Sequence, residues 1–395
     1  MPIFLFFVFV ELWLAKRRRV SVYRFSDTIT DLSCGVVSQI SVFYCGKMLQ
    51  DTYTHLYDNY RLVTLSNSWL VWVLGFFLLD FLFYWFHRLS HEVNLLWAVH
   101  VVHHQSEDYN LAAGLRQAIL TSFVTWFFYL PMAFLGFPPL IYGVLHALNL
   151  FYQYWLHTEM IRDIGPLEKI INTPSHHRVH HGQNPQYLDK NYGGTLMCWD
   201  HLFGTFEKEG EPVVYGITKP LNSYNNLWAQ LHYFVELFKE AKAAPKWSDK
   251  IKIWFKGPGW SPEGLPVKLP PYGISRETFV KYDPPTPTGV STYVVTMLVS
   301  ATAILFYLMS AGLNLASGPA ALLVCTILLS MASIGAFLDK KPWAVRLELF
   351  RLGFVGGVVA GFYWSGLLGL GAVLLGALFV SLQLLWLRRV APSLL

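Results

Sequence analysis

Nine stretches of this chain are too apolar to rest in water: residues 1–15, 32–49, 69–86, 118–136, 139–156, 289–313, 318–338, 346–363 and 366–387. Their lengths are near the roughly 17–25 residues that a helix needs to cross a bilayer. The chain is therefore predicted to be an all-α polytopic membrane protein, a helical bundle with a polar cap. Composition agrees, since 54% of the 395 residues are hydrophobic and only 14% charged, which is too apolar for an ordinary soluble domain. The first stretch precedes Lys16-Arg17-Arg18-Arg19. A signal peptide has the reverse order, so this segment reads as a retained helix, short for a full span. The stretch at 32–49 is the weakest, because it holds Ser33, Ser38, Gln39, Ser41 and Lys47. The pair 118–136 and 139–156 meets at Pro138 and reads as a tight hairpin that need not cross fully.

Basic residues orient the segments. Lys16 to Arg19 and Arg24 mark one side, and the polar stretch 157–288 carries 15 Lys and Arg. Asp339-Lys340-Lys341 and Arg388-Arg389 fall on that same side, while 50–68 holds only Arg61. Under the positive-inside rule this side is cytoplasmic. Two regions follow. Residues 1–288 carry four or five apolar segments and the polar cap, and 289–395 is a four-span transmembrane segment. The linker between them is 257–288, rich in proline and glycine (Gly257-Pro258-Gly259, Pro270-Pro271, Pro284-Pro285, Pro287). The stretch 227–240 is amphipathic and suits a membrane surface.

Histidines supply the chemistry. Eleven of 14 lie between residues 87 and 181, and eight of them form three clusters. These are His87-x3-His91, His100-x2-His103-His104 and His177-x2-His180-His181. Residues at i, i+3 and i+4 share a helix face, so each cluster is expected to present its imidazoles in one direction from one short helix. A structural zinc site needs four ligands and a catalytic one three with an open position, so eight imidazoles suit two ions better than one. Spacing alone leaves iron, zinc, copper and nickel open. The four cysteines, Cys34, Cys45, Cys198 and Cys325, form no C-x2-C pair and read as inert thiols. A metal transporter would place ionisable ligands near the bilayer midplane, whereas these clusters fall at one face. No nucleic-acid partner is expected.

The three clusters and their surroundings resemble the fatty acid hydroxylase / sterol desaturase superfamily. The resemblance extends through His87-Arg88-Leu89-Ser90-His91-Glu92, Asn94-Leu95-Leu96-Trp97, Ser106-Glu107-Asp108-Tyr109-Asn110-Leu111 and Trp155-Leu156-His157-Thr158-Glu159. It continues through Asn172-Thr173-Pro174-Ser175-His176-His177, Asn191-Tyr192-Gly193-Gly194 and Trp199-Asp200-His201-Leu202-Phe203-Gly204-Thr205. The pattern, spanning roughly residues 20–240, is most like the alkylglycerol monooxygenase branch.

The resemblance implies a non-haem centre of two iron ions that activates O2. In that branch the carbon beside an ether oxygen is hydroxylated. The resulting hemiacetal collapses to a fatty aldehyde and a glycerol derivative, with electrons from tetrahydrobiopterin. Related branches are sterol or fatty-acyl hydroxylases and desaturases, fed by a cytochrome b5 or ferredoxin partner. The ligands implied are His87, His91, His100, His103, His104, His177, His180 and His181, with His157 as a ninth. Relatives can carry another histidine four residues before that ninth position, where this chain has Gln153. Glu92 is the candidate catalytic residue, holding a ligand imidazole by its ring N–H; Glu159 and Asp200 are lesser candidates for the same task. His176 lies about 100° around the helix from His177. Asp80, inside a span, is a functional candidate by its position. His146 is expected to pack or to line a lipid tunnel, and His55, His201 and His232 read as ordinary histidines. The expected partners are the membrane, a lipid substrate and O2, with the active site on the cytoplasmic side.

Overall fold

A computed structural model describes residues 2–268, 273–311 and 315–393. Pro270 and Pro271 of the expected linker lie outside the described residues. Those described form fourteen α-helices and no strand: α1 (Pro2–Arg18), α2 (Phe25–Tyr60), α3 (Trp69–Glu92), α4 (Asn94–His104), α5 (Thr121–Phe134), α6 (Pro139–Tyr154), α7 (Pro174–His180), α8 (Cys198–Phe203), α9 (Asn226–Ala243), α10 (Trp247–Phe255), α11 (Thr288–Ala311), α12 (Ser317–Leu338), α13 (Ala344–Trp364) and α14 (Leu370–Val390).

Five of these, α2, α3, α11, α12 and α14, are long and apolar enough to cross a membrane. Helices of this length and composition are those of an integral membrane protein. The other apolar stretches differ for physical reasons. Helix α5 has 14 residues, with Pro131 inside it. At 1.5 Å per residue it reaches about 21 Å, short of a bilayer core of about 30 Å. It turns at Gly136, φ 85°, where a Cβ would stand 2.0 Å from the Val63 carbonyl oxygen. Helix α6 then returns beside α3 and α2. Helix α13 carries Arg346, Glu348 and Arg351 in its first two turns.

The stretch at 32–49, weakest by sequence, belongs to the longest helix. Its serines donate to their own helix: Ser33 Oγ to the Ile29 carbonyl at 2.7 Å and Ser38 Oγ to the Gly35 carbonyl at 2.8 Å. A hydroxyl satisfied in this way carries no orphan donor into lipid. At 36 residues α2 is about 54 Å long, far more than a bilayer requires. Its first turns run into the cap. There the buried Asp31 pairs with the buried Arg116 at 3.1 Å, and Asp27 and Asp31 both accept from Ser106 Oγ.

Helix α12 packs between α11 and α13, and both α11 and α12 pack against α2. Inside them lies one polar knot. Glu348, fully buried, accepts from Arg351 Nε and Nη2 at 2.8 and 2.6 Å, from Ser333 Oγ at 2.6 Å and from Tyr293 Oη at 2.5 Å. Both carboxylate oxygens are doubly bonded, the condition under which a buried ion pair is tolerated.

Candidate metal centre

The local fold brings the histidines together by a sharp reversal. Helix α3 ends at Glu92, Val93 alone separates it from α4, and α4 folds back along α3. The corner is held by Asn94, whose Nδ2 donates to the Ile253 carbonyl at 2.8 Å and whose amide donates to the Lys256 carbonyl at 2.9 Å. This places His87 and His91 opposite His100 and His104. Helix α7, started by Pro174, closes the far side with His177 and His180, with His181 as its C-cap.

All nine expected ligands are buried, and they fall into two groups. His87, His91, His100, His104 and His180 form one; His103, His157, His177 and His181 form the other. Within each group one nitrogen per ring lies within 4.8 Å of all the others. The groups abut where the ring of His104 stacks on that of His181, centroids 4.3 Å apart. The clusters do not each aim one way, as the spacing predicted. His100 and His104 serve one group and His103 the other; His177 and His181 serve one and His180 the other. Neighbours on a helix differ by about 100°, so a shared face is broad enough to border two ions.

The nitrogens meet at close range. Nε2 to Nε2 is 3.1 Å for His87–His100, 3.1 Å for His100–His104, 3.1 Å for His103–His157, 3.0 Å for His157–His177 and 3.3 Å for His177–His181. Two nitrogens bound to one ion at about 2.1 Å stand about 3.0 Å apart at a right angle and about 3.4 Å apart at a tetrahedral one.

Hydrogen bonds behind the rings assign the protons. Nδ1 of His87 faces the Tyr192 carbonyl at 2.9 Å, that of His103 the Arg116 carbonyl at 3.0 Å, that of His157 the Gln153 carbonyl at 3.1 Å and that of His180 the Lys190 carbonyl at 3.0 Å. A carbonyl only accepts, so each of these Nδ1 atoms carries the hydrogen and each Nε2 a lone pair. His103 and His157 then point two lone pairs at each other across 3.1 Å. A cation between them removes that repulsion. The buried Nε2 atoms of His91 and His180 have no hydrogen-bond partner, as expected of atoms that wait for a metal. Burial pushes the His103 imidazole down to about 4. It also holds His104, His157, His177, His180 and His181 well below the ordinary histidine value, the neighbouring imidazoles adding to the effect. These six rings are thus neutral, the form in which imidazole ligates.

The remaining candidates separate clearly. Glu92 is exposed and pairs with Arg88 Nε at 2.8 Å; its carboxylate meets no imidazole. Asp200 does serve the site, through the backbone. It accepts from the amides of Tyr192 and Gly193, both at 2.7 Å, and so fixes the carbonyl that holds His87. Asp80 accepts from the amides of Thr195 and Leu196 and from Trp199 Nε1, which pins the same loop to α3. Glu159 binds Tyr215 Oη at 2.7 Å and Arg276. Gln153 turns its side chain to Asn149 and contributes only its carbonyl. His176 stays out of both groups and faces Thr173 and Phe206. His146 packs between Tyr129 and Tyr142. His201 stacks on Phe206, His232 bonds to the Ala229 carbonyl, and His55 lies exposed beside Asn59.

Sequence reading missed two groups. Glu11 of α1 is buried and accepts from the Leu111 amide at 2.7 Å, from Tyr23 and from Thr158, next to His157. Arg178 donates to the Thr158 and Ile161 carbonyls and pairs with Glu209 at 2.6 Å. A lone glutamate inside an apolar helix was the available signal for the first.

A cavity of about 710 Å³ reaches His91, His104, His180 and His181. Trp97 and Tyr233 line it, together with Lys219, Glu236, Lys239 and Lys268 nearer the surface.

Residues 72–205 match the family described as fatty acid hydroxylase. The chain is 41% identical to the alkylglycerol monooxygenase of Xenopus tropicalis over 334 residues, 83% of this chain and 74% of that protein. It is 40% identical to that of Homo sapiens over 368 residues, 89% and 79% of the two chains. Lathosterol oxidase of Mus musculus is 27% identical over 167 residues, 39% of this chain and 52% of that one. No solved structure matches the chain significantly.

Proposed function

From the premise that the chain belongs to the fatty acid hydroxylase family, beside the alkylglycerol monooxygenases, and is a membrane lipid monooxygenase, we propose that it cleaves alkylglycerols. The carbon next to the ether oxygen is hydroxylated, and the hemiacetal falls apart to a fatty aldehyde and a glycerol derivative. Of the two atoms of O2, one enters the lipid and the other leaves as water, with two electrons and two protons supplied. Tetrahydrobiopterin is the proposed donor.

The observation that carries the reading is the division of nine buried imidazoles into groups of five and four. Each group is assigned one iron, which activates O2 when bound. His87, His91, His100, His104 and His180 hold the first, and His103, His157, His177 and His181 the second. The carbonyls of Tyr192, Lys190, Arg116 and Gln153 orient four of these rings by accepting hydrogen bonds from their Nδ1–H groups. Every ring of the set is buried, which keeps bulk water from the reacting atoms. Residues 1–288 carry the chemistry, and 289–395 buttress α2 in the membrane. The site is assigned to the cytoplasmic side, the side of Lys16–Arg19 and of the 15 Lys and Arg in 157–288.

Two measurements test this. Mössbauer spectra of anaerobically reduced protein, with metal analysis, are expected to show about two coupled irons per chain, given the ligand count. Purified protein given an alkylglycerol, O2 and tetrahydrobiopterin is expected to release fatty aldehyde. Iron without aldehyde, but with turnover of a sterol on a ferredoxin system, would move the assignment to the sterol branch.

A further inference from the structure

Helices α9 and α10 carry an apolar stripe that no other described residue covers. On α10 the exposed residues are Trp247, Ile251 and Phe255, four apart and so in one line. On α9 Leu227, Leu231 and Phe238 are exposed along one side, with Trp228 exposed beside them. The opposite faces are packed: Ile253 and Leu237 are buried against Ala98 of α4. The stripe is basic at its margins. Residues 239–256 hold six lysines against Glu240 and Asp249, a net charge of +4. Lys250 Nζ sits 5.5 Å above the Trp247 ring.

Both helices are fixed where spanning helices leave the apolar zone. Asn94, two residues past the end of α3, binds the Ile253 and Lys256 carbonyls of α10. Asp339, the C-cap of α12, accepts from the Tyr224 amide at 2.7 Å, just before α9 begins. Gly335 of α12 lies so close that a Cβ there would stand 2.6 Å from Asn225 Cα. The inner side of α9, through Tyr233, Glu236 and Lys239, forms a wall of the cavity that reaches the histidines. Another wall of the cavity is the segment 258–268.

We propose that α9 and α10 form an apron that seats on an anionic lipid leaflet, so that the cavity between α9 and 258–268 opens toward lipid. An apolar stripe flanked by lysines, held level with the ends of two spans, is the surface that an anionic interface fits. The seating does not depend on which lipid is oxidised.

The test uses the full chain in vesicles of phosphatidylcholine, with and without one-fifth phosphatidylserine. Cys45, Cys198 and Cys325 are replaced by serine, leaving the buried Cys34. A bimane is then placed on Trp247→Cys or Phe255→Cys. A spin label in the lipid headgroup region is expected to quench both bimanes, and aqueous iodide to quench neither. Phosphatidylserine is expected to deepen the lipid quenching at least two-fold, and Lys246→Gln/Lys250→Gln/Lys256→Gln to abolish that gain while the protein still elutes as one species. Free access of iodide to both positions would overturn the proposal. So would protection from iodide without lipid quenching that grows with protein concentration, which would make the stripe an interface between two copies. Quenching that ignores phosphatidylserine would overturn the anionic preference.

Discussion

At the scale of single residues the site is decided by where protons sit. Two imidazoles, His103 and His157, each spend their N–H on a carbonyl and face each other with lone pairs 3.1 Å apart. Without a cation that contact is repulsive. His157→Ala is therefore expected to leave three imidazoles in its group and to cost about one metal ion per chain, since a group of four has no ligand to spare. Metal analysis of the purified variant checks this, and retention of the full complement would refute the role of His157. Asp200 and Glu92 give a sharper comparison. Asp200→Asn keeps the volume but replaces one acceptor of the Tyr192 and Gly193 amides by a donor. Loss of such a support typically weakens metal binding by about 10–100-fold, measurable by competition with a chelator. Glu92→Gln breaks only an exposed pair with Arg88, worth about 0.2–1 kcal/mol, and is expected to leave metal content unchanged. A large loss of metal in Glu92→Gln would restore the role that its position in the sequence suggested.

At the scale of elements, what was legible is the presence of helical ligand spacing, and what was hidden is the partition. H-x2-H-H on α4 and its counterpart at α7 announce one face each. They do not tell that His103 and His180 cross to the neighbouring group, because that depends on how α4 and α7 face each other. The same holds for the supporting carbonyls. Lys190 and Tyr192 act through backbone atoms, which leave no trace in residue type. Their aim comes from Asp189 and Asn191, both left-handed at φ 58° and 57°, a conformation that Asn and Asp tolerate better than most residues. The motif Asn191-Tyr192-Gly193-Gly194 was visible, yet its physical reason needed the fold. A Cβ on Gly194 would stand 2.7 Å from Phe83 Cδ1 and 3.0 Å from Asp80 Oδ1 of α3. Gly194→Ala is expected to destabilise the protein by about 1–3 kcal/mol, the usual range for overpacking. A lowered thermal midpoint in detergent, with metal lost in parallel, is the readout. An unchanged midpoint would mean that the loop moves away from α3 at no cost. The hairpin at 118–136 and 139–156 was legible as one that need not cross, and 32–49 as a weak span. Hydropathy counts the serines of α2 as polar, although they are satisfied within the helix, while α5 and α6 read as apolar but are too short to span.

At the scale of the whole molecule, the same burial that readies the site for metal makes the metal-free protein sensitive to acid. Seven imidazoles, His100, His103, His104, His157, His177, His180 and His181, are held below the ordinary value, chiefly by desolvation. In the unfolded chain each takes a proton near pH 6.5; in the folded chain His103 waits until about 4. Between those values the unfolded state binds more protons, so stability rises with pH and is lost as pH falls below about 6.5. Each fully shifted site steepens that loss by up to about 1.4 kcal/mol per pH unit. Burial raises the carboxyls of Glu11 and Asp200 and pushes Glu107 up to about 7, which opposes the trend. The thermal midpoint of chelator-stripped protein is thus expected to hold steady from pH 8 to pH 7 and to drop by several degrees by pH 5. Metal-loaded protein starts higher, because an ion that binds only the folded chain adds about 4 kcal/mol at a thousand times its dissociation constant. It converges on the stripped curve as protons displace the ion, since only neutral imidazole ligates. A stripped midpoint that stays flat to pH 5 would mean that these rings are not closed off from water, and the dry pocket proposed for lipid oxidation would lose its physical basis.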